Sequence, residues 1–428
     1  MPGTSLPPSI PSDPGLPGAR GLLEAPGRSA IAGFLEDRGW QASEVRPVQV
    51  LYRPERSCLV RFRARGEHRD GRRRVFSLCA ESRARDRALP PASPAAVDGA
   101  DLEEPVGFRD GYRVWAFPYD PGLPGLAEAA SGERVRRALS ALGRQPSAVH
   151  AEALRYRPRG RAVFRYRALH RQRARRWERA YGKAMHRDGV RRGLDIASTV
   201  RGSPQLGLAL PAGRLGHDVL LFEEAPGTSL RPLLLRGGSL PRPERIAVLL
   251  DVLPAAVGDS LELPGAPHPA DRARSAASLI ERLNPTAGSP ARRIADEVAA
   301  RAGRFVPRVV HGDLYEAQIL VGEDFSLSLV DLDDLAIGDP AVDAGSFCAH
   351  LVALALSAPA ARGRLLAYRS LVREAFLDRL GISSSELAWR EAHRMLLLAP
   401  GPFRTLHPEW PREVRHRVDV AVRLLEGA

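Results

Sequence analysis

The sequence contains very little lysine, asparagine or cysteine. Of its 63 basic residues only Lys183 is a lysine, and Asn284 is the only asparagine. Depletion of both residue types is typical of nucleotide bias in a genome, and this bias accounts for the formal charge of +13 without a nucleic-acid partner. Because arginine does not replace lysine where a compact ammonium group is needed, we interpret Lys183 as a candidate functional residue.

The scarcity of cysteine and of long apolar runs excludes several classes of protein. Cys58, Cys79 and Cys348 have no close spacing, which excludes a disulfide framework or a zinc motif and favours a reducing compartment. The chain does not start with a charged segment followed by an apolar run, and its longest apolar run, Leu351 to Leu356, is far shorter than the ~20 residues that cross a bilayer. We therefore expect a cytoplasmic, globular protein with no membrane partner.

The first part of the chain predicts a tail followed by a small sheet. Residues 1–27 hold seven prolines among glycine and serine and have no apolar periodicity, so we predict a disordered tail. A short amphipathic helix is predicted from Ser29 to Trp40. Alternating residues then predict a hairpin from Leu51 to Gly66, with further strands at Val75–Cys79 and Tyr112–Phe117.

The pattern of the first hairpin returns later in the chain. At an offset of 104 residues, Tyr52-Arg53-Pro54 matches Tyr156-Arg157-Pro158, and Arg61-Phe62-Arg63-Ala64 matches Arg165-Tyr166-Arg167-Ala168. Such self-similarity indicates an internal duplication of a β-rich lobe. The same offset places Cys79 opposite Lys183, so we predict that only the second copy has a lysine on its third strand.

The segment from Val309 to Phe347 combines short apolar runs with clustered carboxylates. Asp313 follows one predicted strand, Gln318 comes five positions later, and Asp331 comes eighteen positions after Asp313 at the end of another strand. Two carboxylates held close together conflict unless a cation neutralises them. This ordered set suits metal-dependent phosphoryl transfer, in which one carboxylate orients a hydroxyl while an amide and a second carboxylate hold magnesium. The alternative is a pair of ordinary turns with exposed acids.

These residues resemble the catalytic segment of the aminoglycoside phosphotransferase and choline kinase family of the protein-kinase-like fold. Three stretches resemble its catalytic loop, its metal-binding strand end and its following structural segment: His311-Gly312-Asp313, Leu329-Val330-Asp331, and Gly338-Asp339-Pro340 with Asp343. Most of the family has asparagine where this chain has Gln318. Maltokinases, which have the same fold, carry a similar HGD-to-Gln motif.

The resemblance implies ATP and Mg²⁺ as cofactors and assigns roles to further residues. Asp313 would be the catalytic carboxylate with His311 beside it, and Gln318 and Asp331 would be the metal ligands. Lys183 would pair the phosphates of ATP. The remaining nucleotide-binding candidates are Asp195 as the partner of that lysine, Arg159 and Gly160 in the second hairpin turn, and Glu223 and Glu224 at the hinge that receives adenine. The alternative for Arg159 and Gly160 is a solvated basic turn. The alternative for Glu223 and Glu224 is a plain linker after a strand.

The predicted fold class is α+β, a bilobal protein-kinase-like fold with a duplicated β-rich N-terminal lobe and a mostly helical C-terminal lobe. We predict a tail at 1–27, a degenerate N-lobe-like domain at 28–145, an ATP-binding N-lobe at 146–229 and a helical catalytic C-lobe at 230–428. Three helices are expected before the catalytic segment and more after it. The predicted function is ATP- and magnesium-dependent phosphoryl transfer to a hydroxyl of a small molecule.

Two other functions remain open. Residues 63–74 and 155–179 interleave arginines with aromatic residues, as a nucleic-acid or anionic surface would, although a strand with one buried face has the same pattern. The aromatic residues concerned are Phe62, Tyr156, Phe164, Tyr166 and Trp177. Alternatively the fold is kept and catalysis lost, which Gln318 suggests. The sequence leaves the acceptor open among aminoglycosides, sugars, amino sugars and choline-like alcohols, and it leaves the oligomeric state open.

Overall fold

The structure, a computed structural model, describes residues 10–84, 102, 105–170, 176–200, 202–258, 262–303 and 305–427. The chain divides into two compact units. The first comprises residues up to Arg191 together with Pro211–Glu223 and Pro402–Trp410, and the second comprises Arg192–Leu210, Glu224–Gly401 and Pro411–Ala428. Strands dominate the first unit and helices the second, which confirms the predicted α+β class.

The strands are short in the second unit and longer in the first. They are β1 (Trp40–Arg53), β2 (Ser57–His68), β3 (Arg73–Arg83), β4 (Val106–Arg109), β5 (Tyr112–Ala116), β6 (Ala148–Arg157), β7 (Arg161–His170), β8 (Arg176–Met185), β9 (Leu206–Leu208), β10 (Pro211–Leu215), β11 (Val219–Glu223), β12 (Thr228–Ser229), β13 (Arg308–Val310), β14 (Ile319–Val321), β15 (Leu327–Leu329) and β16 (Ala336–Gly338).

Most of the described helices lie in the second half of the chain. They are α1 (Ala25–Glu36), α2 (Leu126–Ala130), α3 (Gly132–Ala141), α4 (Arg187–Thr199), α5 (Leu230–Arg236), α6 (Pro243–Ala247), α7 (Leu249–Val257), α8 (Pro269–Leu283), α9 (Pro285–Arg301), α10 (Pro340–Ser357), α11 (Arg362–Leu380), α12 (Ser384–Leu398), α13 (Gly401–Arg404) and α14 (Trp410–Glu426). Within the described residues five helices, α5 to α9, stand where three were predicted, and α6 and α7 are divided by a single residue, Val248.

Two antiparallel five-stranded sheets form the first unit, as the duplication predicts. Their strand orders are β1-β2-β3-β5-β4 and β10-β11-β8-β7-β6. Arginines and aromatic residues alternate along β7 because Phe164 and Tyr166 face a buried core while the arginines between them do not. Both sheets contribute to one core, which includes Cys79 and Trp115 from the first sheet and Tyr156 from the second.

The pairing register corrects the predicted match between the two copies. Ser57 pairs with Arg83, whereas its counterpart Arg161 pairs with Met185, which lies 102 rather than 104 residues further on. The connection between the second and third strands is therefore two residues shorter in the second copy. As a result the residue equivalent to Lys183 is Glu81, not Cys79.

The predicted disordered tail is wrong for residues 10–27, while residues 1–9 lie outside the described part of the chain. Ile10, Leu16 and Leu22 are fully buried, and a 3₁₀ helix leads into α1. Asp13 anchors the segment, because its carboxylate accepts hydrogen bonds from the Tyr52 hydroxyl at 2.7 Å and the Glu55 amide at 2.8 Å. The apolar residues of this segment have no helical or strand periodicity because turns place them in the core. The missing periodicity therefore did not indicate disorder.

Buried helices surround the small sheets of the second unit. Strands β12-β14-β15-β9 form one sheet and β13-β16 form another. The central helix α10 packs against α11 and α12. By length and composition α10 would pass as a membrane span, but 72% of it is buried inside the unit, and a core helix meets the same criteria. Strands β13, β14 and β15 place the loops that carry the candidate site.

Candidate active site

The loop after β13 is held in a fixed conformation by a carboxylate on α10. Asp343 is buried, and its two oxygens accept the backbone N–H groups of His311 at 2.6 Å and Gly312 at 3.0 Å. Burial raises the pKa of Asp343, whereas the nearby His311 and these backbone bonds favour the ionised form. Gly312 has φ +78°, and a Cβ there would lie 2.3 Å from the carbonyl oxygen of Asp334, so the loop requires glycine.

His311 connects this loop to the strand end that precedes Asp331. Its side chain is fully buried, and Nε2 lies 3.1 Å from the carbonyl oxygen of Val330. A buried ring that bonds to backbone is suited to positioning rather than to proton transfer with a substrate. The structure thus places His311 in the predicted site, with contacts of a bracing residue.

The two predicted metal ligands lie side by side. Gln318 ends a short 3₁₀ helix, and its Nε2 donates a hydrogen bond to Oδ2 of Asp331 at 3.0 Å. The Val330 amide donates to the Gln318 carbonyl, also at 3.0 Å, and Asp331 adopts a left-handed conformation with φ +64°. The backbone therefore holds the amide and the carboxylate against each other although thirteen residues separate them.

This donor set fits magnesium. Mg²⁺ is typically bound by one or two carboxylate or amide oxygens from the protein, with phosphates and water completing the octahedron. In the described part of the chain no group of three or more His, Cys, Asp or Glu could hold a metal ion. Gln318 and Asp331 would therefore be sufficient protein ligands only for an ion that also binds substrate phosphates.

Asp313 lies in the same loop but has a partner that the sequence did not reveal. Its carboxylate, 26% exposed, forms an ion pair with Nη2 of Arg394 on α12. Arg394 also donates to Nε2 of His350, at 3.2 Å from its Nε, and the His350 ring stacks on Tyr315 at 4.4 Å. Arg394 is 81 residues from Asp313, and charged residues on an amphipathic helix normally face solvent. No sequence signal distinguished it.

Lys183, a predicted nucleotide-binding residue, lies in the first unit. It is buried on β8, where it pairs with Val163 of β7 and Leu220 of β11. Glu223 ends β11, is exposed and forms an ion pair with Arg144. One of the five points at which the chain passes from one unit to the other lies between Glu223 and Glu224, at the predicted hinge.

The predicted nucleotide-binding residues of the second hairpin turn, Arg159 and Gly160, stay predictions, and the structure shows that Arg159 also has structural contacts. Arg159 does not extend from a solvated turn, since its guanidinium forms an ion pair with the buried Glu81 at 2.7 Å and lies over the Trp115 ring. Its amide donates to Asp120 at 2.7 Å. The left-handed residue of the turn is Arg159 itself, with φ +58°. The ion pair with Glu81 gives Arg159 a structural role between the two sheets.

The predicted partner of Lys183 is unsupported. Asp195 lies on the exposed face of α4, and its carboxylate forms no ion pair with any residue that the structure describes. Its backbone carbonyl accepts the hydroxyls of Ser198 and Thr199. The sequence predicts this helix but not its orientation about its own axis. It therefore does not show whether an acidic residue on the helix faces solvent or a neighbouring element.

A repeated hexapeptide was overlooked in the sequence. Residues 13–18 and 120–125 are both DPGLPG. Asp120 accepts hydrogen bonds from the Tyr156 hydroxyl at 2.8 Å and the Arg159 amide, as Asp13 does from Tyr52 and Glu55. Each copy thus has an aspartate that fixes its hairpin turn. The sequence alone shows this repeat.

Comparison with known proteins agrees with the catalytic segment. Residues 203–379 match the model of the phosphotransferase enzyme family, APH. A search of curated proteins found no match to the sequence. The resemblance predicted from the HGD loop is thus confirmed for residues 203–379, which are similar to this phosphotransferase family.

Three solved structures are among those to which the chain is similar. A spectinomycin phosphotransferase solved with ADP and spectinomycin is 11% identical, with a TM-score of 0.44, and the match covers 69% of this chain and 98% of that one. Choline kinase LicA from Streptococcus pneumoniae is 14% identical, with a TM-score of 0.43 and coverage of 69% and 99%. An aminoglycoside phosphotransferase from Streptomyces rimosus is 20% identical, with a TM-score of 0.40 and coverage of 61% and 95%.

Proposed function

We propose that the protein is an ATP- and magnesium-dependent phosphotransferase that acts on a hydroxyl group of a small molecule. The observation that carries the proposal is the contact between Gln318 and Asp331 beside the Asp313 loop, within the segment that matches the phosphotransferase family. A carboxylate for the hydroxyl and an amide–carboxylate pair for magnesium are the parts that phosphoryl transfer needs.

In this mechanism Asp313 orients the acceptor hydroxyl and accepts its proton. The hydroxyl oxygen forms a bond to the γ-phosphorus of ATP, the bond from that phosphorus to the β–γ bridging oxygen breaks, and ADP leaves. Magnesium, when bound, neutralises charge on the phosphates, and Gln318 and Asp331 would hold it. Asp343 and His311 keep the loop in place, and Lys183 would be the phosphate-binding residue that the family resemblance implies.

The nucleic-acid alternative is not favoured by the positions of the aromatic residues. Phe62, Tyr156, Phe164 and Tyr166 are all buried, so they cannot stack on bases. The side chain of Trp177 lies outside the described part of the structure. We further propose that the protein works in the cytoplasm, since Cys58, Cys79 and Cys348 are buried free thiols.

The proposal is tested by substituting the two carboxylates separately. Asp313→Asn should reduce ADP formation by roughly 1000-fold while Mg·ATP still binds, because the base is lost and the metal ligands remain. Asp331→Ala should weaken Mg·ATP binding in calorimetry, because the metal loses its carboxylate. Asp324→Asn, at an exposed turn of the same unit, is the matched control. Wild-type turnover in Asp313→Asn would refute the assignment, and a wild-type protein that binds no Mg·ATP would indicate an inactive relative.

A further inference from the structure

The surroundings of Asp313 are basic. Arg394 is 9% exposed and pairs with the Asp313 carboxylate. Arg272 lies on α8, which packs against α12, and it interacts electrostatically with Arg394 and with the carboxylates of Asp313 and Asp334. One carboxylate of the proposed catalytic loop therefore lies close to two guanidinium groups.

Arg272 has no carboxylate of its own. None of the acids that the structure describes forms an ion pair with it, whereas Arg274 on the same helix pairs with Asp271 at 2.6 Å. Burial lowers the pKa of Arg272, repulsion from Arg394 lowers it further, and Asp313 and Asp334 oppose this only in part. Within the described residues Arg272 forms no ion pair and shares the Asp313 carboxylate with Arg394, so its charge is only partly neutralised and an additional anion would be stabilised there.

The neighbouring side chains add hydrogen-bonding groups without adding charge. His393 is buried next to Arg394 in the sequence, and within the described residues neither of its ring nitrogens has a hydrogen-bond partner. Burial and the two arginines lower the pKa of His393 to about 3. Burial, followed by Arg394, also lowers the pKa of His350. We call Arg272, Asp313, His350, His393 and Arg394 the acceptor-side cluster.

We propose that the acceptor carries an anionic group, a carboxylate or a phosphate, beside the hydroxyl that is phosphorylated, and that Arg272 and Arg394 bind this group. The inference rests on the function proposed above. An anion that draws Arg394 toward itself would release Asp313 from its ion pair, and the freed carboxylate would then accept the hydroxyl proton as the new oxygen–phosphorus bond forms and ADP departs. A cationic acceptor would be repelled by both arginines.

The test compares acceptors that share one sugar skeleton and differ in charge. The purified full chain is supplied with Mg·ATP and with glucose, glucosamine, glucuronate or glucose 6-phosphate, and ADP formation is measured. We expect kcat/KM for at least one anionic sugar to exceed that for glucose and glucosamine by roughly tenfold or more, which corresponds to a single added charge contact. Glucuronate and glucose 6-phosphate distinguish a carboxylate site from a phosphate site.

A substitution then assigns the preference to the cluster. Arg272→Gln should raise KM for the preferred anionic sugar by about tenfold with little change in kcat, because Arg272 binds the ground state and transition state alike. Arg274→Gln, on the same helix but already paired, should leave both parameters unchanged. Arg272→Glu should shift the preference toward glucosamine.

Binding measurements separate failure of this inference from failure of the proposed function. Calorimetry with Mg·ADP present should show tighter binding of an anionic sugar than of glucose to the wild type, and loss of that difference in Arg272→Gln. Preference for glucose or glucosamine, or equal affinity for all four sugars, would overturn the anionic acceptor while leaving the phosphotransferase intact. Absence of Mg·ATP binding by the wild type would overturn the proposed function itself, and the inference with it.

Discussion

The two sheets of the first unit have the same strand arrangement and different chemistry at one equivalent position. In the first sheet that position is Glu81, whose buried carboxylate pairs with Arg159 at 2.7 Å and with Arg83 at 2.9 Å. In the second sheet it is Lys183, the one lysine of the chain. A carboxylate in the first copy would repel ATP phosphates, and it is instead neutralised by an arginine from the second copy. The comparison indicates that the first sheet serves as support for the hairpin turn of the second.

The largest effect on catalytic activity expected from this comparison is at Lys183. Lys183→Arg should reduce kcat/KM for ATP by roughly 100-fold or more, nearly as much as Lys183→Ala, because a planar guanidinium does not replace a compact ammonium between phosphates. Initial rates at several ATP concentrations measure this. Glu81→Gln is the matched control at the equivalent position, and it should retain most of the turnover per folded molecule. If Glu81→Gln abolished ATP use and Lys183→Arg did not, the functional sheet would be the first.

The second effect concerns the segment that precedes the first sheet. Deleting residues 1–24 should destabilise the first unit by about 5 kcal/mol or more, since burial of each large apolar side chain contributes roughly 1.5–3 kcal/mol. Ile10, Leu16, Leu22 and Leu23 would all be removed. Urea unfolding followed by circular dichroism measures the loss. An unchanged midpoint would mean that these residues contribute no core.

The buried ion pair between the copies gives a smaller effect. Glu81→Ala should cost about 3–5 kcal/mol, because it leaves the guanidinium of Arg159 without its partner in a buried place. The double variant Glu81→Leu with Arg159→Met should recover most of that loss, since apolar residues of similar size replace buried ion pairs at little cost. Thermal unfolding of the single and double variants distinguishes the two cases. A double variant as unstable as the single one would show that Arg159 matters for more than its charge.

The smallest effects are expected at the two turn-fixing aspartates, which compare the copies directly. Asp13→Ala and Asp120→Ala each leave a tyrosine hydroxyl and a backbone amide without an acceptor, and each should cost about 1–3 kcal/mol. Asp120→Ala should be the more damaging, because the Tyr156 hydroxyl also accepts from Trp115 in the core shared by the sheets. Chemical denaturation gives both values. Equal losses would mean that the shared core does not depend on this hydroxyl.

Much of the candidate site could be read from spacing alone. Gln318 and Asp331 flank two short apolar strands, and the antiparallel pairing of these strands brings the two residues together, whereas Asp313 follows β13 in another sheet. The same holds for the alternation of arginine and aromatic residues, which a half-buried strand imposes. The sequence did not show the partners of Asp195 and Arg159, because it does not show which way each side chain faces.

The sequence by itself determined the fold class and the duplication and predicted the candidate site segment, because periodicity and short-range order are local properties of the chain. Only the tertiary structure decided that Glu81 is the counterpart of Lys183, because a two-residue difference in a connection changes the register without changing the strand pattern. Likewise only folding places Arg394 against Asp313, since a charge on a helix is neutralised or left unpaired according to the residues that distant parts of the chain bring to it.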